Sequence, residues 1–108
     1  MSDTIFGKII RGEIPSDFLY EDEHCIAIND INPQAPKRGI PRLVDSQADD
    51  KDLLGHLMLV AGKVAEQQGV GDAFRLVVNN GANAGQTVFH LHLHIIGGRP
   101  FAEGHMAG

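Results

Sequence analysis

Three histidines alternate with leucines at His90, His92 and His94, inside the run from Thr87 to Ile96. In an extended strand, Val88, His90, His92, His94 and Ile96 share one face, and Thr87, Phe89, Leu91, Leu93 and Ile95 share the other. Successive imidazoles are then roughly 6.6 Å apart along the strand. Three kinds of chemistry fit such a row. It can be a solvated polar face, although strands usually use Thr, Lys, Glu or Ser there. It can ligate zinc through imidazoles at i and i+2, but zinc needs a third or fourth ligand, and the single Cys25 belongs to no CxxC pair. It can also carry nucleophilic and acid–base chemistry near neutral pH, where imidazole is naturally poised.

The elements that must position this row read from its flanks outward. Gly97 and Gly98 close the strand. Ala73 to Asn79 alternates as a strand and is expected to pair antiparallel with the histidine strand around the loop Asn80-Gly81-Ala82-Asn83-Ala84-Gly85. Gly85, Gln86 and Thr87 then stand near one end of the row. They read either as a hairpin connection or as a phosphate cradle with free backbone N–H groups.

Upstream, Asp3 or Thr4 can cap a short helix carrying Ile5, Phe6, Ile9 and Ile10 on one face, stopped by Gly12 and Pro15. Phe18 to Glu21, a turn at Asp22-Glu23, and His24 to Asn29 form an antiparallel hairpin. Cys25 reads as a small buried hydrophobe and His24 as surface. Asp30 follows the hairpin and can cap a loop or accept hydrogen bonds from a sugar diol. Asn32 to Pro36 is expected to be a loop, because its two prolines disfavour helix and central strand. Lys37, Arg38 and Arg42 read as a solvated basic turn or as phosphate contacts. The main helix starts at Ser46 or Asp49 and runs about 20 residues to Gly69. Leu53, Leu54, Leu57, Met58, Ala61, Val64 and Ala65 form its expected buried stripe, and Gly55 and Gly62 would admit another backbone. His56 beside that stripe reads as structural or surface.

Residues 1–108 fit a single domain with a modest core. Hydrophobic residues make up 43%, which argues against disorder. The net charge of -5 and the lack of a basic patch argue against a nucleic-acid polymer as partner. No basic leader with an apolar run opens the sequence, and no apolar run approaches about 20 residues, so neither secretion nor a membrane span is expected. One cysteine excludes an intrachain disulfide and fits a reducing, cytoplasmic setting.

The run from His90 to Ile96 resembles the His-x-His-x-His-x-x signature of the histidine triad superfamily. Ile5 to Ile10, Glu13-Ile14-Pro15, Asp30 to Pro36, Leu54 to Met58, Val77-Val78-Asn79 and Gly85 to Val88 are similar to one branch, the histidine triad nucleotide-binding proteins. That resemblance implies an α+β fold: an antiparallel sheet with one long and one short helix, continued across a homodimer. It implies binding of purine nucleoside monophosphates and hydrolysis of the P–N bond of nucleoside 5'-phosphoramidates, with no cofactor and no metal. By matched position, His92 would be the nucleophile, His94 would contact phosphate and help protonate the leaving amine, and His90 would orient His92. Asp30 would hold the ribose hydroxyls and Ile31 would line the base pocket. Asn79, Gly85, Gln86 and Thr87 would hold phosphate, with Val88 adjacent.

Two departures stand out. In the family, the equivalent of Pro36 runs into a strongly apolar central strand with a histidine near its start; here Lys37 follows directly. The sheet must therefore close another way, exchange of elements between subunits being one route, and the fourth histidine of the relay is absent. The chain also lacks tryptophan, which the branch often carries in a C-terminal segment reaching the other subunit's site. Besides a phosphoramidate hydrolase, the readings are a nucleotide-binding or scaffolding module with little activity, and a hydrolase of dinucleoside polyphosphates or adenylyl sulfate. A metal-dependent enzyme is the outsider.

Overall fold

The computed structural model describes residues 4–28, 33–98 and 100. Within them the fold is α+β: a five-stranded antiparallel sheet in the order β1-β2-β3-β5-β4, with one long and one short helix. The short helix α1 spans Ile5–Ile10, and the Thr4 hydroxyl caps it by accepting from the Gly7 N–H at 3.2 Å. Gly12, at φ 79, ends it by letting the chain turn left-handed. Phe6 and Ile9 are its buried anchors, whereas Ile5 is half exposed.

Strands β1 (Phe18–Glu21) and β2 (Cys25–Ile28) form the expected hairpin. Its turn is organised by Asp22, whose Oδ1 accepts the N–H groups of His24 and Cys25. Burial alone would raise the Asp22 carboxyl. The hydrogen bonds from His24, His56, Tyr20 and Cys25 override that and hold it well below the usual carboxylate range.

The expected loop at 32–36 is instead a strand over its described part. β3 spans Pro33–Pro36, is buried throughout, and occupies the middle of the sheet. It pairs with β2 (Cys25↔Pro36, Ala27↔Gln34) and with β5 (Pro33↔His94, Gln34↔Leu93). The prolines fit because they lie at the two ends of a four-residue strand, leaving Gln34 and Ala35 as the interior. This strand closes the sheet within one chain. No exchange of elements between subunits is needed.

A four-residue β3 is too short to template a long neighbour, which corrects the reading of the histidine run. Strand β5 is Leu93–Gly97 only; Thr87 to His92 is irregular. Its backbone bonds go elsewhere: Leu91 N–H donates to Ile40 O, and Val88 O accepts from the Gln86 amide. β4 is Phe74–Val77 and pairs with β5 from Phe74↔Gly97 to Val77↔His94.

The long helix α2, Lys51–Gln67, follows a 3-10 turn at Ala48–Asp50, later than Ser46 or Asp49 and nearer 17 residues than 20. Leu57, Val60, Ala61, Val64 and Ala65 are its buried stripe, with Leu53 and Leu54 partly buried. Met58 points outward, 58% exposed, and Val60 takes the inner place. A Cβ added at Gly55 or Gly62 would meet nothing within 4 Å, so no described backbone approaches there.

The sheet has two covered faces. Cys25, Ala27, Leu91, Leu93 and Ile95 pack with α2. Ile26, Ile28 and Ala35 pack with Phe6 and Ile9 of α1, with Val88 against them. Among the described residues no helix is long and apolar enough to cross a membrane.

Candidate active site

Because Leu91, Leu93 and Ile95 face α2, the three histidines fall on the α1 side. There Phe6 lies against His90 and His92, with ring centroids 5.8 Å and 4.9 Å apart. His94 meets His92 edge-on at 4.9 Å. Burial is graded along the row: His90 is 1% exposed, His92 8%, and His94 partly open.

Each of the first two rings is fixed by a carbonyl, and a carbonyl can only accept. His90 Nε2–H therefore donates to Pro36 O at 2.7 Å. Its Nδ1 is left as the acceptor facing the Thr4 hydroxyl at 3.5 Å. His92 Nδ1–H donates to His90 O at 2.8 Å. In the neutral ring this leaves the lone pair on His92 Nε2, the atom a nucleophilic imidazole needs. Burial lowers the pKa of His90, partly opposed by its bond to Pro36, and the neighbouring His92 lowers it further. Burial and then His92 lower that of His94.

The glycine loop differs from a cradle of free N–H groups. Gly85, left-handed at φ 94, donates to Ala82 O, and Gln86 N–H donates to Gly81 O. The Gln86 side chain is buried and fully engaged. Its Oε1 accepts from Gly81 N–H at 2.8 Å, and its Nε2 donates to Pro41 O at 2.7 Å and Val88 O at 3.0 Å. Gln86 thus builds the loop, with no donor left for phosphate. Among the described residues, exposed Thr87 and the Asn79 amide make no hydrogen bond to protein. The Asn79 Nδ2 would lie 3.8 Å from a Cβ at Gly85, so it overhangs the loop. Val88 is partly buried beside α1. Asp30 and Ile31 lie outside the described residues. The basic residues are neutralised in place: Lys37 by Glu21, Arg38 by Asp50 and Arg42 by Asp45.

Thr4, Phe6 and the Pro36 carbonyl complete the site, and their residue types and positions in the sequence do not mark them as partners of the histidines. Thr4 reads as a helix cap and Phe6 as a core residue, and 86 positions separate Thr4 from its histidine.

An antiparallel sheet with a buried-to-open histidine row, its first two rings each locked by a main-chain carbonyl, defines a histidine triad domain. The chain belongs to the HIT domain family, whose family model matches residues 11–101. It is 58% identical over 107 residues to an uncharacterised HIT-like protein of Synechocystis, covering 93% of this chain and 94% of that one. It is 45% identical over 106 residues to the purine nucleoside phosphoramidase of Escherichia coli, covering 91% and 89%. Among solved structures, a HIT family hydrolase from Clostridium thermocellum superposes with a TM-score of 0.89 at 38% identity, covering 94% of this chain and 96% of that one. One from Legionella pneumophila gives 0.88 at 35%, covering 94% and 97%.

Proposed function

We propose that this chain is a hydrolase that cleaves the P–N bond of purine nucleoside 5'-phosphoramidates through a nucleotidyl-His92 intermediate. The observation that carries this reading is the His92 Nδ1–H bond to the His90 carbonyl, which leaves Nε2 as the nucleophilic nitrogen. The 45% identity to a purine nucleoside phosphoramidase supports the substrate class. In the first step, His92 Nε2 bonds to the α-phosphorus as the P–N bond to the amine breaks, and the amine leaves with a proton from His94. In the second, water attacks phosphorus and returns a proton to His94, the Nε2–P bond breaks, and AMP or GMP departs. Two in-line displacements replace one difficult step. Asn79 and Thr87 are the donors open to the phosphoryl oxygens, and Asp30 and Ile31 are assigned to ribose and base by their match to the family motif.

A nucleotide-binding module with little activity is the second reading. It is favoured by the near-complete burial of His92, 8% exposed, and by the engaged N–H groups of Gly85 and Gln86. Release of AMP from adenosine 5'-phosphoramidate separates the two. Turnover that disappears in His92→Ala supports the hydrolase, AMP binding without turnover supports the module, and turnover surviving in His92→Ala removes the proposed nucleophile. Faster release from a dinucleoside polyphosphate or adenylyl sulfate would move the substrate class.

The same reading includes a cytoplasmic homodimer with the sheet continued across the interface. Two features support the dimer: β4 is an edge strand, and α2 exposes Met58 and Leu59 (58% and 73%) between exposed Gly55 and Gly62. Light scattering should give twice the 11.7 kDa chain mass. A monomer that still turns over would overturn this part.

A further inference from the structure

At the β1–β2 turn, on the sheet face opposite the histidine row, ligand atoms of Asp22, Cys25 and His56 all lie within 4.8 Å of one another. His56 comes from α2, and its Nε2 is 2.6 Å from Asp22 Oδ2. Asp22 Oδ1 also accepts the Cys25 main-chain N–H at 2.9 Å, and the Gln34 amide Nε2 donates to Leu57 O at 2.9 Å. Gln34 is fully buried, and its Oε1 has no hydrogen-bond partner. The exposed ring of His24 stands edge-on to His56, with centroids 5.2 Å apart. A cleft of about 560 Å³ opens beside this group at His56, lined also by His24, Glu23, Asp52 and the cationic Lys37 and Arg38.

We infer that Asp22, Cys25 and His56, with His24 as fourth donor, form a binding site for a divalent transition metal of the zinc class, separate from the histidine row. One thiol, two imidazoles and one carboxylate are the donor types zinc takes in tetrahedral sites. Tetrahedral zinc ligands stand about 3.2–3.8 Å apart, so the widest pair of the group must close by about 1 Å while His56 Nε2 and Asp22 Oδ2, now 2.6 Å apart, must open. The His56 ring N–H points at the Asp22 carboxylate, where a cation would take the place of that hydrogen. On binding, a metal–sulfur bond forms as the thiol proton leaves to solvent, and His56 shifts its proton to Nδ1 to free Nε2. The metal would tie the turn of the β1–β2 hairpin to α2. In sequence, His24 and Cys25 are adjacent but His56 is 31 positions on, so no ligand-spacing motif announces the group.

The test uses the full chain, reduced, stripped with EDTA, and titrated with Co²⁺ and then Zn²⁺. One equivalent of Co²⁺ should bind with a thiolate-to-cobalt charge-transfer band, and Zn²⁺ should bleach it. Cys25→Ser should remove the band, and His56→Ala should weaken binding about tenfold or more. His92→Ala should leave both within about twofold. Absence of the band, its survival in Cys25→Ser, or its loss in His92→Ala overturns the inference. Should Cys25→Ser fail to fold, His56→Ala decides, and undiminished affinity there overturns it.

Discussion

His90 and His92 are coupled by a single bond: the ring of His92 donates from Nδ1 to the main-chain carbonyl of His90 at 2.8 Å. The ring of His90 is in turn held by Pro36 O and Thr4. The His90 carbonyl thereby decides which nitrogen of His92 carries the lone pair, while β3 and the first turn of α1 hold the His90 ring. The bond to Pro36 O holds His90 in a chain that has no histidine between Pro36 and His56.

Thr4 connects α1 to that arrangement. Thr4→Ala removes the acceptor for Gly7 N–H and the hydroxyl facing His90, and should cost about 1 kcal/mol of unfolding free energy. Thr4→Ser keeps the hydroxyl and should recover most of it. Urea unfolding of the two variants checks this, and equal loss in both would assign the effect to the methyl group.

Stability should fall in acid. The folded-state pKa values of His90 and His94 lie below the usual 6.5. Above the unfolded value both states are neutral and nothing is lost. As pH drops below about 6.5 the unfolded chain takes up protons that the native rings refuse, and stability declines by up to about 1.4 kcal/mol per pH unit for each ring. The decline levels off once pH passes the folded values. Denaturant midpoints between pH 8 and 5 (roughly the window set by that reference value) should therefore fall, and less steeply in His94→Ala.

Gln86 offers a separation of structure from binding. Its amide serves Gly81, Pro41 and Val88, so Gln86→Ala leaves partly buried main-chain groups without a partner and should cost about 1–3 kcal/mol. The loop supporting Thr87 should loosen with it, raising KM. A variant with raised KM and unchanged unfolding free energy would restore direct phosphate contact to this side chain.

Gly97 is required for a close approach. A Cβ there would stand 2.7 Å from Val70 Cβ, a branched position that cannot swing aside. Gly97→Ala should destabilise by about 1–3 kcal/mol, and a thermal midpoint equal to that of the parent would contradict the contact.

Much of this architecture is legible in the sequence where local chemistry decides. Phe18–Glu21 is found because a turn residue, Asp22, separates two apolar runs, and α1 because Thr4 and Gly12 bracket it. The histidine row is found by type and period. What escapes is set by partners distant in the chain. Pro33 and Pro36 argue against a central strand until each is seen at an end of the strand, Pro33 opposite only His94 of β5 and Pro36 opposite only Cys25 of β2. The strand expected across 87–92 fails because β3 ends too soon to pair with it. Gln86 looks like a ligand donor, and only the positions of Gly81, Pro41 and Val88 show its amide consumed. Met58 and Val60 exchange places because Val60 lies three and four positions from buried Leu57 and Val64, whereas Met58 is turned about 100° from Leu57.

The most direct measurement is mass spectrometry of protein quenched within one turnover of adenosine 5'-phosphoramidate. An adenylyl adduct on the peptide containing His92, absent in His92→Ala and discharged to AMP by water, is the predicted result. Steady release of AMP with no adduct, or an adduct placed on His90 or His94, would contradict the assignment of His92 Nε2 as the attacking atom.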